Sequence, residues 1–275
     1  MNVDLHVHTT YSDGRLTPDE IVRLAVKQDL TVIAITDHDT IDGINPTLQA
    51  ARAFPQVTVI PGIEINTDVP KGEVHILGYF IDYTDRKLID SLNDLRKSRV
   101  DRAAKMIDKL CSLGCPLELH NIEKLAQGAP ICRPHVAQAM IDAGYVTSLQ
   151  DAFDKYIGHD SPAYIERKRL LPEEAVKLIT NAHGLPVLAH PANIEGLETL
   201  VSALKRTGLI GIEVYYKNYT QDTINKLLPL CRSYGLIATG GTDYHGFGDA
   251  KEVMLGETHV PDECVKKLLA LANQH

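Results

Sequence analysis

The sequence predicts an α/β barrel that carries a metal centre at one end of its strands and is interrupted by a helical insertion. Three observations lead there. Short apolar runs alternate with helical periodicity over residues 2–80 and again over 172–275. Metal-ligand-type side chains sit in or at the ends of those runs: NVDLHVH, TVIAITDHD, VTVIPGIE, EVHILGY, LPVLAHP and LIATGGTDYH. Between the two stretches, from Asp85 to Lys155, the periodicity is helical and no strand pattern stands out.

Taken in order, residues 2–7 read as a buried strand. Thr17-Pro18-Asp19-Glu20 is a helix start, with a threonine cap, proline in the first position and acids in the first turn. Ile21, Leu24, Ala25 and Leu30 supply the apolar face that follows. TVIAIT (31–36) is the next strand and Asp42 to Ala53 the second helix. Val57 to Ile65 and Val74 to Phe80 are further strands. Continuous apolar strands in a strand–helix–strand rhythm predict a parallel sheet buried on both faces.

The insertion is expected over about 96–165, so that 1–95 and 166–275 form the barrel. Residues 85–114 read as one long charged helix ending at Gly114. IEKLAQG (122–128), RPHVAQAMIDAG (133–144) and SLQDAFDKYIG (148–158) read as shorter ones, closed by the glycines that helix C-termini favour. The α/β rhythm resumes with a helix over 172–184 and the strand LPVLAH. It continues through LETLVSALKRTG, IGIEVY, TQDTINKLLPLCRSYG and LIATGG, and a last helix follows Pro261. The count is about seven strands, near a closed barrel and one short of eight.

Composition narrows the function. A chain of 275 residues with 44% hydrophobic and 23% charged residues suits one large soluble domain with a small insertion. Its net charge of −8 argues against a binder of duplex or long nucleic acid. No apolar run approaches the ~20 residues that span a bilayer. With a strand expected from residue 2, no signal peptide is expected, and the five cysteines include no C-x-x-C. Reduced thiols in the cytoplasm are the expectation.

The histidines and acids are more informative. His6 and His8 are two apart on a strand and point to the same side, so both rings can reach one ion. Asp13 lies in Ser-Asp-Gly beyond that strand, where an ordinary Asx turn is the plain alternative. His38 is flanked by acids, and Asp37 is a candidate to orient its second nitrogen. Asp39 reads equally well as a solvent-facing turn residue. Glu64 ends a wholly apolar run and needs a partner, a proton or a metal. His75, inside EVHILGY, could equally be a satisfied core histidine. His190 closes LPVLAHP; Asp243 and His245, again two apart, close LIATGGTDYH. One shared centre explains all these positions better than a separate structural reason at each. Six imidazoles and three carboxylates exceed one tetrahedral Zn²⁺ and suffice for two or three divalent ions. Glu64 is the candidate bridge, and the mixed donors favour Zn, Mn or Fe over Mg or Ca. His183, His259 and His275 are expected at the surface.

The string H-x-H, S-D-G, T-D-H-D, G-I-E, H, A-H-P and G-G-T-D-Y-H resembles the PHP (polymerase and histidinol phosphatase) family over nearly all of the chain. The resemblance implies a distorted (β/α)7 TIM-like barrel with a trinuclear centre. It implies that His6, His8, Glu64 and Asp243 hold one ion, that Asp13, His38 and His245 hold a second, and that Glu64, His75 and His190 hold a third. No ligand is missing, which implies a working enzyme. The insertion near S-R-V-D-R and R-P-H resembles that of stand-alone members. Those hydrolyse nucleoside 3′,5′-bisphosphates or trim short oligonucleotides from the 5′ end. That branch implies that Arg99, Arg102, Arg133 and His135 bind substrate phosphates. Cys132 stands where the branch more usually has serine, which removes a hydroxyl from that pocket.

The expected chemistry is hydrolysis of a phosphomonoester by a metal-bridging hydroxide, with no serine or cysteine nucleophile. The expected substrate is a small nucleotide or short oligonucleotide, best a nucleoside 3′,5′-bisphosphate that loses its 3′-phosphate. Arg133 and His135 open a helix, whose terminal amides also favour phosphate. Arg99 shares a helix face with Arg102 and also with Arg96; Lys155 and His159 are further cationic candidates. Three alternatives remain. A histidinol phosphatase would favour acidic contacts over arginines. A C–N amidohydrolase usually bridges its metals with a strand-end lysine, and none is read here. A non-enzymatic PHP module would not need the intact ligand set.

Overall fold

Seven short, largely buried strands build the first part of the computed structural model, which describes residues 1–69, 72–126, 129–166, 170–248 and 253–273. They are β1 (Val3–Val7), β2 (Val32–Ile35), β3 (Thr58–Val69), β4 (Gly72–Tyr79), β5 (Leu185–Leu188), β6 (Gly211–Tyr216) and β7 (Ile237–Gly241). They form one sheet in chain order. Parallel pairing joins β1, β2 and β3, and again β5, β6 and β7. The expected all-parallel sheet is corrected at β4, which runs antiparallel to both β3 and β5. The reason is connection length. Val69 ends β3 and Gly72 begins β4, whereas a parallel crossover needs roughly a dozen residues.

The sheet nearly closes into a barrel. Val7 bridges Tyr244 in parallel, just past the end of β7. The His8 amide donates to the Tyr244 carbonyl at 2.9 Å, and the Tyr244 amide donates to the His6 carbonyl at 3.1 Å. Val3, Leu5, Ala34, Ile60, Leu77 and Val187 belong to one buried apolar cluster. A TIM-like barrel, distorted by its antiparallel strand, is the resulting architecture.

The chain divides into two compact units, Met1–Ile89 with Arg169–His275, and Asp90–Lys168. In the first, α1 (Pro18–Lys27) starts at the expected cap: the Thr17 amide donates to Glu20 at 2.8 Å in a capping box. It buries Ile21, Val22 and Ala25. Helix α2 (Ile44–Ala51) follows β2 and is two residues shorter at each end than the expected Asp42–Ala53.

The second unit is helical, with no strand among its described residues. Helix α3 (Arg86–Ser112) begins in the first unit and continues into the second; α4 (Leu119–Ala126), α5 (Arg133–Asp142) and α6 (Leu149–Ala152) follow. A π-helical turn, Phe153–Ile157, extends α6. Gly128, the expected end of the 122–128 helix, lies outside the described residues. Met106, Leu110, Ile122, Val136, Met140 and Ile157 form this unit's own core. In the first unit again, α7 (Pro172–Asn181), α8 (Leu197–Thr207), α9 (Gln221–Ser233) and α10 (Asp262–Ala272) alternate with β5, β6 and β7. Among the described residues no helix is long and apolar enough to cross a membrane.

Candidate metal centre

All nine candidate ligands lie in the first unit and gather around one carboxylate. Glu64 is 1% exposed. It does not end its strand as expected, because pairing with β4 carries β3 on to Val69. Its Oε1 lies 3.0 Å from His75 Nδ1 and 3.1 Å from His190 Nε2. Its Oε2 lies 3.2 Å from His6 Nε2, 3.3 Å from His8 Nε2 and 3.1 Å from His38 Nδ1. Asp243 Oδ1 faces His6 Nε2 at 3.4 Å, His8 Nε2 at 3.1 Å and His245 Nδ1 at 3.6 Å. Asp13, half exposed, closes the group: Oδ1 is 3.3 Å from His245 Nε2 and Oδ2 is 3.8 Å from His38 Nε2.

Three sets have donor atoms within 4.8 Å of one another: His6, His8, Glu64 and Asp243; His8, Asp13, His38 and His245; and His38, Glu64 and His75. Compared with the division implied by resemblance, His8 and His38 are each shared between sets. His190 falls outside the third set, although it meets the same Glu64 oxygen as His75.

This donor set fits divalent transition metals. His6 Nε2, His8 Nε2, His38 Nδ1 and Glu64 Oε2 are buried and have no hydrogen-bond partner. Buried polar atoms left so are costly, and cations held by the three sets would satisfy them. Burial pushes the Glu64 carboxyl up, yet His38, His6 and His75 around it hold it well below its ordinary value. Burial lowers His38 to about 4. At His8 and His75 the neighbouring carboxylates outweigh burial and hold the imidazoles up at about 10, so metal binding there would displace protons.

The PHP domain family matches residues 4–238. The chain belongs to that family. The family is one of metal-dependent phosphoesterases, and this PHP chain is a hydrolase of that class. The chain is 33% identical to the 5′-3′ exoribonuclease Rnm of Escherichia coli over 88% of its length and 84% of the relative's. It is 32% identical to a 3′,5′-nucleoside bisphosphate phosphatase of Chromobacterium violaceum, over 90% of its length and 88% of the relative's. Among solved structures, a protein from Bifidobacterium adolescentis described as a metal-dependent phosphoesterase superposes with a TM-score of 0.82 at 29% identity. That match covers 98% of this chain and 96% of the other. A Chromobacterium violaceum protein described as an amidohydrolase, with bound sulfate and no metal, gives 0.82 at 30% identity over 98% and 97% of the two chains.

Around the PHP centre, a further layer of acids holds the ligands in place. Glu213, fully buried on β6, lies 3.0 Å from His6 Nδ1 and accepts the His190 amide at 2.8 Å. A carboxylate on the far nitrogen fixes an imidazole's tautomer and orientation. Asp4, also buried, accepts from the Thr242 amide at 2.9 Å and the Gly256 amide at 2.8 Å, which ties β1 to the segment leading into Asp243. Neither acid was singled out in the sequence. The available signal was an acid inside an otherwise apolar strand.

Asp37 is placed differently from expectation. It accepts from the Thr9 amide at 2.7 Å, Thr9 Oγ1 at 2.8 Å and Ser12 Oγ at 2.6 Å. It therefore anchors the loop that carries Asp13, and none of these bonds reaches His38. Asp39 is buried, not solvent-facing, and accepts the Asn66 amide at 2.9 Å. The expectation of no strand-end lysine is also corrected. Lys217 directly follows β6, and its Nζ lies 2.9 Å from Asp243 Oδ2. It pairs with one ligand and bridges nothing. Asp39, His190 and Asp243 adopt left-handed backbone conformations, with φ of 51°, 28° and 49°, the kind of strain that clusters at functional sites.

The substrate-binding candidates lie in the helical unit and associate there. Arg99 Nη1 donates to Cys132 Sγ at 3.3 Å, and the Cys132 amide donates to His135 Nδ1 at 3.1 Å. Arg102 donates to the Ile165 carbonyl at 2.7 Å and stacks over Tyr164 at 5.7 Å. Arg133 stacks over Phe153 at 5.4 Å and Tyr164 at 5.9 Å. Arg102 and Arg133 thus meet at Tyr164, a residue that carries no signal in the sequence pattern. Lys155 and His159 are paired with Asp151 and Asp160. His183 and His259 are exposed; His275 lies outside the described residues.

Proposed function

We propose that this PHP phosphoesterase removes the 3′-phosphate of nucleoside 3′,5′-bisphosphates at a centre of two or three Mn, Fe or Zn ions. The observation that supports it most is the convergence of His6, His8, His38, His75 and His190 on Glu64. When bound, divalent ions supply Lewis acidity and a nucleophile generated from water near neutral pH. His6, His8, Glu64 and Asp243 would hold one ion, Asp13, His38 and His245 a second, and Glu64, His75 and His190 a third. Glu213, Asp37 and Asp4 keep these donors fixed before substrate arrives.

A substrate with two phosphates gives the arginines a role. Arg99, Arg102, Arg133 and His135 would take the phosphate that does not react, through charge-assisted hydrogen bonds. This reading requires the helical unit to cap the metal end of the barrel, because an arginine side chain reaches only a few ångströms. An enclosed pocket would admit a nucleotide and exclude a duplex. Trimming a short 5′-phosphorylated oligonucleotide is the second reading, favoured by similarity to the exoribonuclease. Both relatives act on nucleotides, which disfavours histidinol phosphate.

Metal analysis of Asp13→Ala tests the centre. The variant is expected to hold one ion fewer than the parent and to lose most of its turnover. Its circular dichroism is expected to be unchanged, because Asp13 is half exposed on a loop. Full ion content with full activity would reduce Asp13 to a turn residue.

A further inference from the structure

The Asp243 carboxylate is claimed from two sides by different chemistry. Its Oδ1 faces the imidazoles of His6 and His8. Its Oδ2 accepts from Tyr216 Oη at 2.8 Å and lies 2.9 Å from Lys217 Nζ. The same ammonium donates to the Asp243 main-chain carbonyl at 2.9 Å. Three bonds from two consecutive residues of one strand end therefore grip a residue whose φ is 49°. Such a backbone conformation persists only where its surroundings over-determine it.

Tyr216 is itself fixed. Its ring packs at 5.3 Å from the His190 ring and 5.1 Å from Tyr219, whose hydroxyl accepts the Ala192 amide at 2.9 Å. The segment that carries His190 and the segment that carries Asp243 are thereby joined through β6.

We infer that Lys217 and Tyr216 are positioning residues that make Asp243 a one-oxygen metal ligand. They hold Oδ2 away from the centre and present Oδ1 to the ion shared with His6, His8 and Glu64. Lys217 is not a substitute for that ion, because it lies on the opposite carboxylate oxygen from the imidazoles and reaches the main-chain carbonyl as well. The inference rests on the reading of Asp243 as a metal ligand.

The test measures Mn²⁺ binding by competition with a fluorescent chelator in the full chain, for Lys217→Met, Tyr216→Phe, Lys217→Arg and Asp243→Asn. Loss of an outer partner typically weakens metal affinity by about 10- to 100-fold. Lys217→Met is expected to weaken one site by that factor, and Tyr216→Phe to weaken the same site by less. Lys217→Arg, which keeps a charged donor, is expected to restore part of the affinity. At saturating Mn²⁺, Lys217→Met is expected to lower kcat while leaving KM near that of the parent. Unchanged affinity in Lys217→Met, alongside a lost site in Asp243→Asn, would overturn the positioning role and leave the ligand assignment standing. Tighter Mn²⁺ binding in Lys217→Met would also overturn it, since Lys217 would then compete with the ion. A full set of sites in Asp243→Asn would remove the ligand assignment itself, and the inference with it.

Discussion

Replacing Glu64 by glutamine is expected to lower kcat by about three decades or more and to strip the centre of at least one ion. Metal ions supply several kcal/mol of transition-state stabilisation, and about 1.4 kcal/mol is one decade in rate. Glu64 carries the largest effect because both of its oxygens face candidate ligands, Oε1 toward His75 and His190 and Oε2 toward His6, His8 and His38. Glutamine keeps the shape but removes the charge and turns one acceptor into a donor aimed at imidazoles. Metal analysis and steady-state kinetics on the same preparation check this. A variant with the parent's ion content and turnover would show that Glu64 only satisfies core histidines.

Arg133→Ala is expected to lower kcat/KM for a nucleoside 3′,5′-bisphosphate by about one to two decades. A hydrogen bond to a charged group is worth roughly 1.5–3 kcal/mol, and ~1.4 kcal/mol is a decade. The loss should shrink for a 3′-monophosphate that lacks the second phosphate. Part of it is packing, since the guanidinium lies over Phe153 and Tyr164. Arg133→Lys, which keeps the charge and gives up the planar stack, separates these contributions. Equal losses on both substrates would place Arg133 at the reacting phosphate or in the fold. They would also remove the reason for reading the helical unit as a cap.

Much of the site was legible because ligands interrupt the apolar pattern. His6 and His8 at the end of a buried run, or Asp243 and His245 after LIATGG, are polar groups where a strand needs none. The rule that marks Glu64 holds equally for Asp4 in VDLHV and Glu213 in GIEVYY, but their partners are hidden from it. Those acids lie inside runs rather than at their ends, and their partners are backbone amides and ligand nitrogens from distant strands. Such pairings depend on how the sheet closes, which periodicity does not encode. One lysine after a strand looks like surface, and only the turn of Asp243 towards Lys217 makes a pair. For the fold, apolar periodicity located all seven strands, and the parallel pairing it predicted holds except at β4. The short link from β3 to β4 was the available clue that β4 is antiparallel.

The most direct measurement is product formation, inorganic phosphate from the monoesters and mononucleotide from the RNA, by the purified protein loaded with Mn²⁺, with and without a chelator, on four substrates. These are adenosine 3′,5′-bisphosphate, AMP, histidinol phosphate and a short 5′-phosphorylated RNA. The expected result is rapid release from the bisphosphate with AMP as product, slower reaction of the RNA, little on the other two, and no activity once the metal is removed. Undiminished hydrolysis after complete metal removal, or a preference for histidinol phosphate over the bisphosphate, would contradict it.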